Sequence, residues 1–88
     1  MVGYIYRADN FPRTFRAEDK LYIDESPELK QGELYLLRQG DFLTVKRIYP
    51  QESGYLLLDE KNPPTEAAAL DVVGQVVGYE RMFAAGGL

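Results

Sequence analysis

A chain of 88 residues, 45% of them hydrophobic, makes one domain near the lower limit for a single core, since it buries only about 60–65% of its unfolded surface. The absence of cysteine and histidine excludes disulfide stapling, thiol catalysis, the usual zinc sites and a Ser-His-Asp triad. Fourteen acidic residues against ten basic ones give a net charge of −4, which repels a polyphosphate backbone and argues against a nucleic-acid grip by this domain alone.

In chain order, the apolar runs are short and rich in Tyr, Val, Leu and Ile: VGYIY (2–6), KLYID (20–24), ELYLLR (33–38), DFLTVKRIYP (41–50), GYLLLD (54–59) and LDVVGQVVGYERMF (70–83). Gly, Pro, Asn and Asp bound them, which predicts a mostly β domain of about six to seven short strands joined by hairpins. No leader or membrane-length apolar window is present, so the expected location is the cytoplasm. SPELKQGE (26–33) reads as a polar loop, with Pro27 ending one strand and Gly32 opening the next. R-Q-G-D (38–41) places Gly40 in a tight turn, and P-Q-E-S-G (50–54) reads as a five-residue hairpin connection, so that three runs form a meander. NPPTEAAALD (62–71) opens on two prolines and then offers AAAL, a single expected helical turn. Gly74 and Gly78 inside the last apolar run predict a bulge or a close backbone approach. The expected domain is 1–83, with AAGGL (84–88) a disordered tail.

Three stretches in collinear order resemble the C-terminal domains of LexA-like and related phage repressors, the serine–lysine self-cleaving peptidases. ADNFPRTFRAEDKLYID (8–24) resembles that family's G-D-S-M-x-P-T-F, acidic turn and strand, with Asp9, Thr14, Phe15, Asp19, Leu21 and Asp24 in place. GDFLTVKRIYP (40–50) resembles the strand carrying the lysine base, and L-T-V-K-R-I is the most specific piece. GYLLLDEKNPP followed by VVGQVVGYER resembles the closing hairpin strand, the Asn-Pro loop and the final strand. The resemblance implies a LexA-like peptidase-type β fold.

Residue by residue, the resemblance puts the nucleophile position on Asn10 and the base position on Lys46. Phe11 stands for Met, and the family's Pro is displaced, with Pro12 and Arg13 in its neighbourhood. A Ser-Lys mechanism needs a hydroxyl whose proton passes to a neutral lysine. A carboxamide has no such proton to give, so no catalytic residue is expected. Ser26 and Ser53 fall in loops outside the matched stretches, and Thr44, on the strand face of Lys46, is the only near candidate for a substitute nucleophile, which the resemblance makes a structural residue. The Ala-Gly bond that the family cleaves is also missing upstream of Asn10, and Ala85-Gly86 lies at the wrong end.

Plainer accounts exist for the same residues. Asn10 suits a turn, bonding nearby backbone, and a lone strand lysine usually faces solvent. In the vestigial cleft, Lys46 is expected to donate to Asp9 or to the Asn10 carbonyl oxygen. Asp19, Asp24, Glu25 and Glu28 read as a solvated acidic rim rather than a metal site. No cofactor or metal is implied.

The resemblance therefore implies a catalytically inactive domain acting as the dimerisation module of a transcriptional repressor, of phage or prophage type. DNA would be reached only through a separate domain. The expected homodimer or higher homo-oligomer contact is the last strand, through Val72, Val73, Val76, Val77 and Tyr79, because it carries valines on both faces. Two alternatives stay open: an active self-cleaving domain inactivated at Asn10 by engineering, and a small β-barrel adaptor that holds a peptide by strand addition.

Overall fold

The computed structural model describes residues 2–25 and 28–81, which form one antiparallel sheet. Its strands are β1 (Val2–Ile5), β2 (Lys20–Asp24), β3 (Leu34–Gln39), β4 (Phe42–Gln51), β5 (Gly54–Leu58), β6 (Thr65–Ala67) and β7 (Asp71–Glu80). Their order across the sheet is β1-β2-β7-β3-β4-β5-β6, so the expected β3-β4-β5 meander is present and β7 returns to the middle. The expected tail, 84–88, and the domain boundary at 83 lie outside the described residues, as do Ser26 and Pro27.

Side-chain alternation along β3 explains why the sheet has a core on each face. Leu36 points to one side and joins Tyr6, Phe11, Phe15, Leu21, Ile23 and Val45. Its neighbours Tyr35 and Leu37 point to the other and join Ile48 and Leu57. The first cluster is roofed by the segment between β1 and β2, which contributes Tyr6, Phe11 and Phe15. The second is flanked by Leu29 and Leu70, and the Tyr35 hydroxyl pins the preceding loop, accepting from Lys30 N at 2.6 Å and donating to Glu28 O at 3.0 Å.

Two turns differ in how far the sequence anticipates them. Gly40 has φ 60° and Gln39 pairs with Phe42, so Gly40-Asp41 is a two-residue turn whose first position needs glycine's left-handed freedom. The second hairpin is tighter than the five-residue connection expected. β4 runs on through Pro50 to Gln51, which pairs with Gly54, leaving only Glu52-Ser53 in the turn. Proline is tolerated there because the β3–β4 ladder has already ended at Leu34 and Arg47, so β4 has one strand neighbour at that point.

The helical turn expected at AAAL is absent. Thr65–Ala67 instead pairs with β5, Tyr55 opposite Ala67 and Leu57 opposite Thr65. One turn of helix fixes several dihedrals for a single hydrogen bond, whereas an open strand edge offers a ready ladder.

β7 is shared between two neighbours. Asp71 to Gln75 runs along β3 and Gln75 to Glu80 along β2, with register shifts beside Val73 and Val77. Gly74 sits at a close approach, since a Cβ there would lie 2.4 Å from the Asp24 carbonyl oxygen and 2.6 Å from Ile23 Cγ2. Its contact is thus inside the chain. Gly78 has open space where a Cβ would stand.

Candidate functional site

The site grows from the point where β4 and β5 part. Stepping back from Gln51 opposite Gly54, the ladder reaches Arg47 opposite Leu58, and the next step sets Asp59 against Lys46. Lys46 Nζ donates to Asp59 Oδ2 at 2.5 Å, with the aspartate side chain fully buried and the lysine only 13% exposed. The remaining lone pairs of Asp59 are taken by Lys61 N at 2.8 Å, Asn62 N at 2.7 Å and Asn62 Nδ2 at 3.0 Å. Burial pushes the Asp59 carboxyl upward, but the hydrogen bonds from Lys46, Asn62 and Lys61 outweigh it, so the net shift is well below the usual carboxylate range.

One step further, Asn10 fills the gap between the diverging strands. Its Nδ2 donates to Val45 O on β4 at 2.8 Å, and its backbone carbonyl accepts from Glu60 N at 2.9 Å. Its Oδ1 accepts from the Tyr6 hydroxyl at 2.8 Å, and that hydroxyl in turn accepts from Phe11 N at 2.8 Å. Asn10 is 7% exposed, and both ends of its carboxamide are bonded within the protein. Burial pushes the Tyr6 phenol up, which keeps it a neutral donor. Asn10 is therefore no local turn residue bonding its neighbours: its side chain ties the roof of one core to a strand 35 positions away.

Glu60 secures the turn that follows. Its carboxylate accepts from Arg13 N at 2.6 Å and from Thr14 Oγ1 at 2.5 Å, while Thr14 N and Phe15 N donate back to Phe11 O. Asp9 is occupied by Lys61, so neither acceptor expected for Lys46 receives it; Asp59 does.

The matched residues 10 and 46 thus border the same 59–60 segment, but each is turned to a different partner. Thr44 shares the Lys46 face, opposite Leu37 in the β3 register. The lysine ammonium is nonetheless directed at Asp59. Ser53 lies in the turn at the far end of β5, and Ser26 lies outside the described residues.

The solvated rim expected of the acidic residues fails at Asp19, which is 2% exposed. It accepts two hydrogen bonds from Arg81, at 3.0 and 2.8 Å, and one from Arg16 N at 2.9 Å. The Arg81 bonds lead in holding its carboxyl below the usual range against the opposing effect of burial. That fork fastens the end of β7 to the start of β2.

Of the residues expected at an interface, Val72 packs on the second core, and Val73 and Val76 pack on the first. Both faces of β7 are thus used inside the chain, so valines on both faces do not by themselves leave one face for a partner. Val77 and Tyr79 remain 48% and 52% exposed. Tyr79 meets Phe15 edge-on at 5.8 Å and carries Arg81 over its ring at 5.3 Å.

The residues that sequence reasoning missed are Tyr6, Asp59 and Glu60. For Asp59 a signal existed, because a two-residue Glu52-Ser53 turn sets the register that brings it opposite Lys46.

A family model described as Peptidase S24-like matches residues 9–77, a span holding Asn10, Lys46, Asp59 and most of β7. The chain belongs to the peptidase S24-like family. This is the family of the LexA-like and phage repressor C-terminal domains, whose chemistry is Ser-Lys proteolysis. No curated protein matches the chain. Among the described residues, no helix is long and apolar enough to cross a membrane.

Proposed function

We propose that this S24-like domain is catalytically inactive and serves as the self-association module of a transcriptional repressor whose DNA-binding domain is separate. The observation that carries the reading is Asn10, a buried carboxamide at the position matched to the nucleophile, with both ends bonded to Tyr6 and Val45. Its nitrogen lone pair is delocalised and it has no hydroxyl proton to give, so no acyl-enzyme forms through it. The side chain has a structural task instead.

Self-association is supported by the second half of β7. From Val76 to Glu80 this strand is paired with β2 alone, its other edge has no strand partner among the described residues, and the exposed Val77 and Tyr79 lie there. Gly78, with open space at its Cβ position, leaves room for a second backbone. A two-fold contact through such a segment is the commonest closed solution. It would couple two DNA-binding domains, so that the second engages its half-site at a raised effective concentration. The net charge of −4 fits a domain that leaves DNA contact to another.

Sedimentation equilibrium tests the association, and intact mass after alkaline incubation tests the inertness. The expected results are a homodimer weakened at least about tenfold, or about 1.4 kcal/mol, in a Val77→Glu, Tyr79→Glu variant, and an unchanged mass. Val76 is not a fair target because it packs on the first core. A wild type that stays monomeric at high micromolar concentration refutes the association, and cleavage that survives in Asn10→Ala but vanishes in Lys46→Ala refutes the inertness.

A further inference from the structure

Lys46 poses a question that Asn10 does not answer. A hydroxyl nucleophile passes its proton to a lone pair on the base, and an ammonium has three donors and no lone pair. Here the ammonium is placed against a fully buried carboxylate, 2.5 Å away, by the register of the β4–β5 hairpin. Asp59 cannot swing aside cheaply, since Lys61 N, Asn62 N and Asn62 Nδ2 hold both of its oxygens. Leaving either partner of such a pair buried and alone is strongly unfavourable.

We propose that Asp59 is a second block on Ser-Lys chemistry, independent of Asn10, because its buried carboxylate engages Lys46 Nζ in an ion pair and would leave a serine restored at position 10 without a base. The inference rests on reading Asn10 and Lys46 as the family's dyad positions. The low protonation range of the Asp59 carboxyl agrees with it. Asp59 is a positioning residue here: it touches Lys46 and acts on position 10 only through that amine.

The test uses a fluorophosphonate probe, which needs no peptide substrate. The hydroxyl oxygen forms a bond to phosphorus, the phosphorus–fluorine bond breaks, fluoride leaves and the hydroxyl proton goes to the base. Intact-mass labelling of the full chain near pH 8 is followed for the wild type, N10S, N10S/D59N and N10S/D59N/K46A. N10S should label no faster than the wild type's background, N10S/D59N on the order of 10²-fold faster, the usual scale of general-base assistance, and the triple variant should return to background. Labelling of N10S at the rate of N10S/D59N overturns the proposal, as does a folded N10S/D59N that stays at background.

The pair is also read without substitution, by lysine side-chain NMR of the unaltered chain. Lys46 should show ammonium protons protected from exchange, and a signal matching the exposed lysines overturns the proposal even if the Asp59 variants fail to fold. Neither readout depends on self-association, and a wild type that itself labels fast would count against the inertness rather than against the Asp59 block, so the two failures are distinguishable.

Discussion

Replacing Asn10 by alanine removes a side chain that satisfies groups on two separate parts of the fold. Val45 O loses its 2.8 Å donor, and the Tyr6 hydroxyl loses its acceptor while keeping the bond from Phe11 N. Each unsatisfied buried group costs about 1–3 kcal/mol, and partial relief at the hydroxyl puts the total at about 3 kcal/mol. A domain of this length has a total stability of roughly 4–13 kcal/mol. The loss is therefore a large share, worth about 12–24 °C in Tm at the usual sensitivity of small domains. Urea and thermal unfolding followed by circular dichroism measure it, with Gln31→Ala, an exposed turn position, as control. A loss for Asn10→Ala within about 0.5 kcal/mol of that control, the ordinary range of surface substitutions, would refute the structural role given to the carboxamide.

Other expectations follow from the same contacts. Gly74→Ala should destabilise by about 1–3 kcal/mol or more, because the added methyl meets the Asp24 carbonyl oxygen at 2.4 Å, whereas Gly78→Ala meets nothing and should be near neutral in the monomer; the two unfolding curves decide it. Asp59 and Asp19 have folded carboxyls below their ordinary values, so their contribution is present above the unfolded value of about 3.9 and is lost as pH falls through the folded values. Stability should thus fall with acid below about pH 4, and Asp59→Asn should flatten that limb in acid titration by circular dichroism.

The strands were legible because the apolar runs are rich in Tyr, Val, Leu and Ile and closed by turn residues, and the structure keeps six of those runs and adds one. The added strand, Thr65–Ala67, was hidden because its alanines carry helix propensity while the open edge of β5 decides its conformation. The site was legible at Asn10 and Lys46 but not in what they do. Asn10 bonds Val45, a partner set by how the segment after β1 folds over the first core, and no local spacing encodes that. Lys46 was recoverable in principle. Pro50 and Gly54 suggested a long loop, and the resulting register hid Asp59, although a two-residue turn pairs Arg47 with Leu58 and so brings the residues that follow, Lys46 and Asp59, within reach of each other. Asp19 was misread for a related reason, since its partner Arg81 lies at the far end of the described chain.

The geometry of β7 separates two ways in which copies of this chain could meet. From Val76 to Glu80 only one backbone edge is laddered, to β2, so a two-fold contact there can add strand pairing to the side chains of Val77 and Tyr79. The first strand, β1, also presents an open edge, with Val2 and Ile5 exposed. Hydrogen exchange across a concentration series distinguishes them. If β7 pairs with β7, alternate amides between Val76 and Glu80 should slow as dimer replaces monomer, because alternate residues of a strand direct their N–H groups to the same edge. Amides of β4, laddered to β3 from Phe42 to Arg47 and to β5 from Arg47 to Gln51, should not change. Protection that rises in Val2–Ile5 while Val76–Glu80 stays constant would move the interface to β1, and the Val77→Glu, Tyr79→Glu variant would then still dimerise.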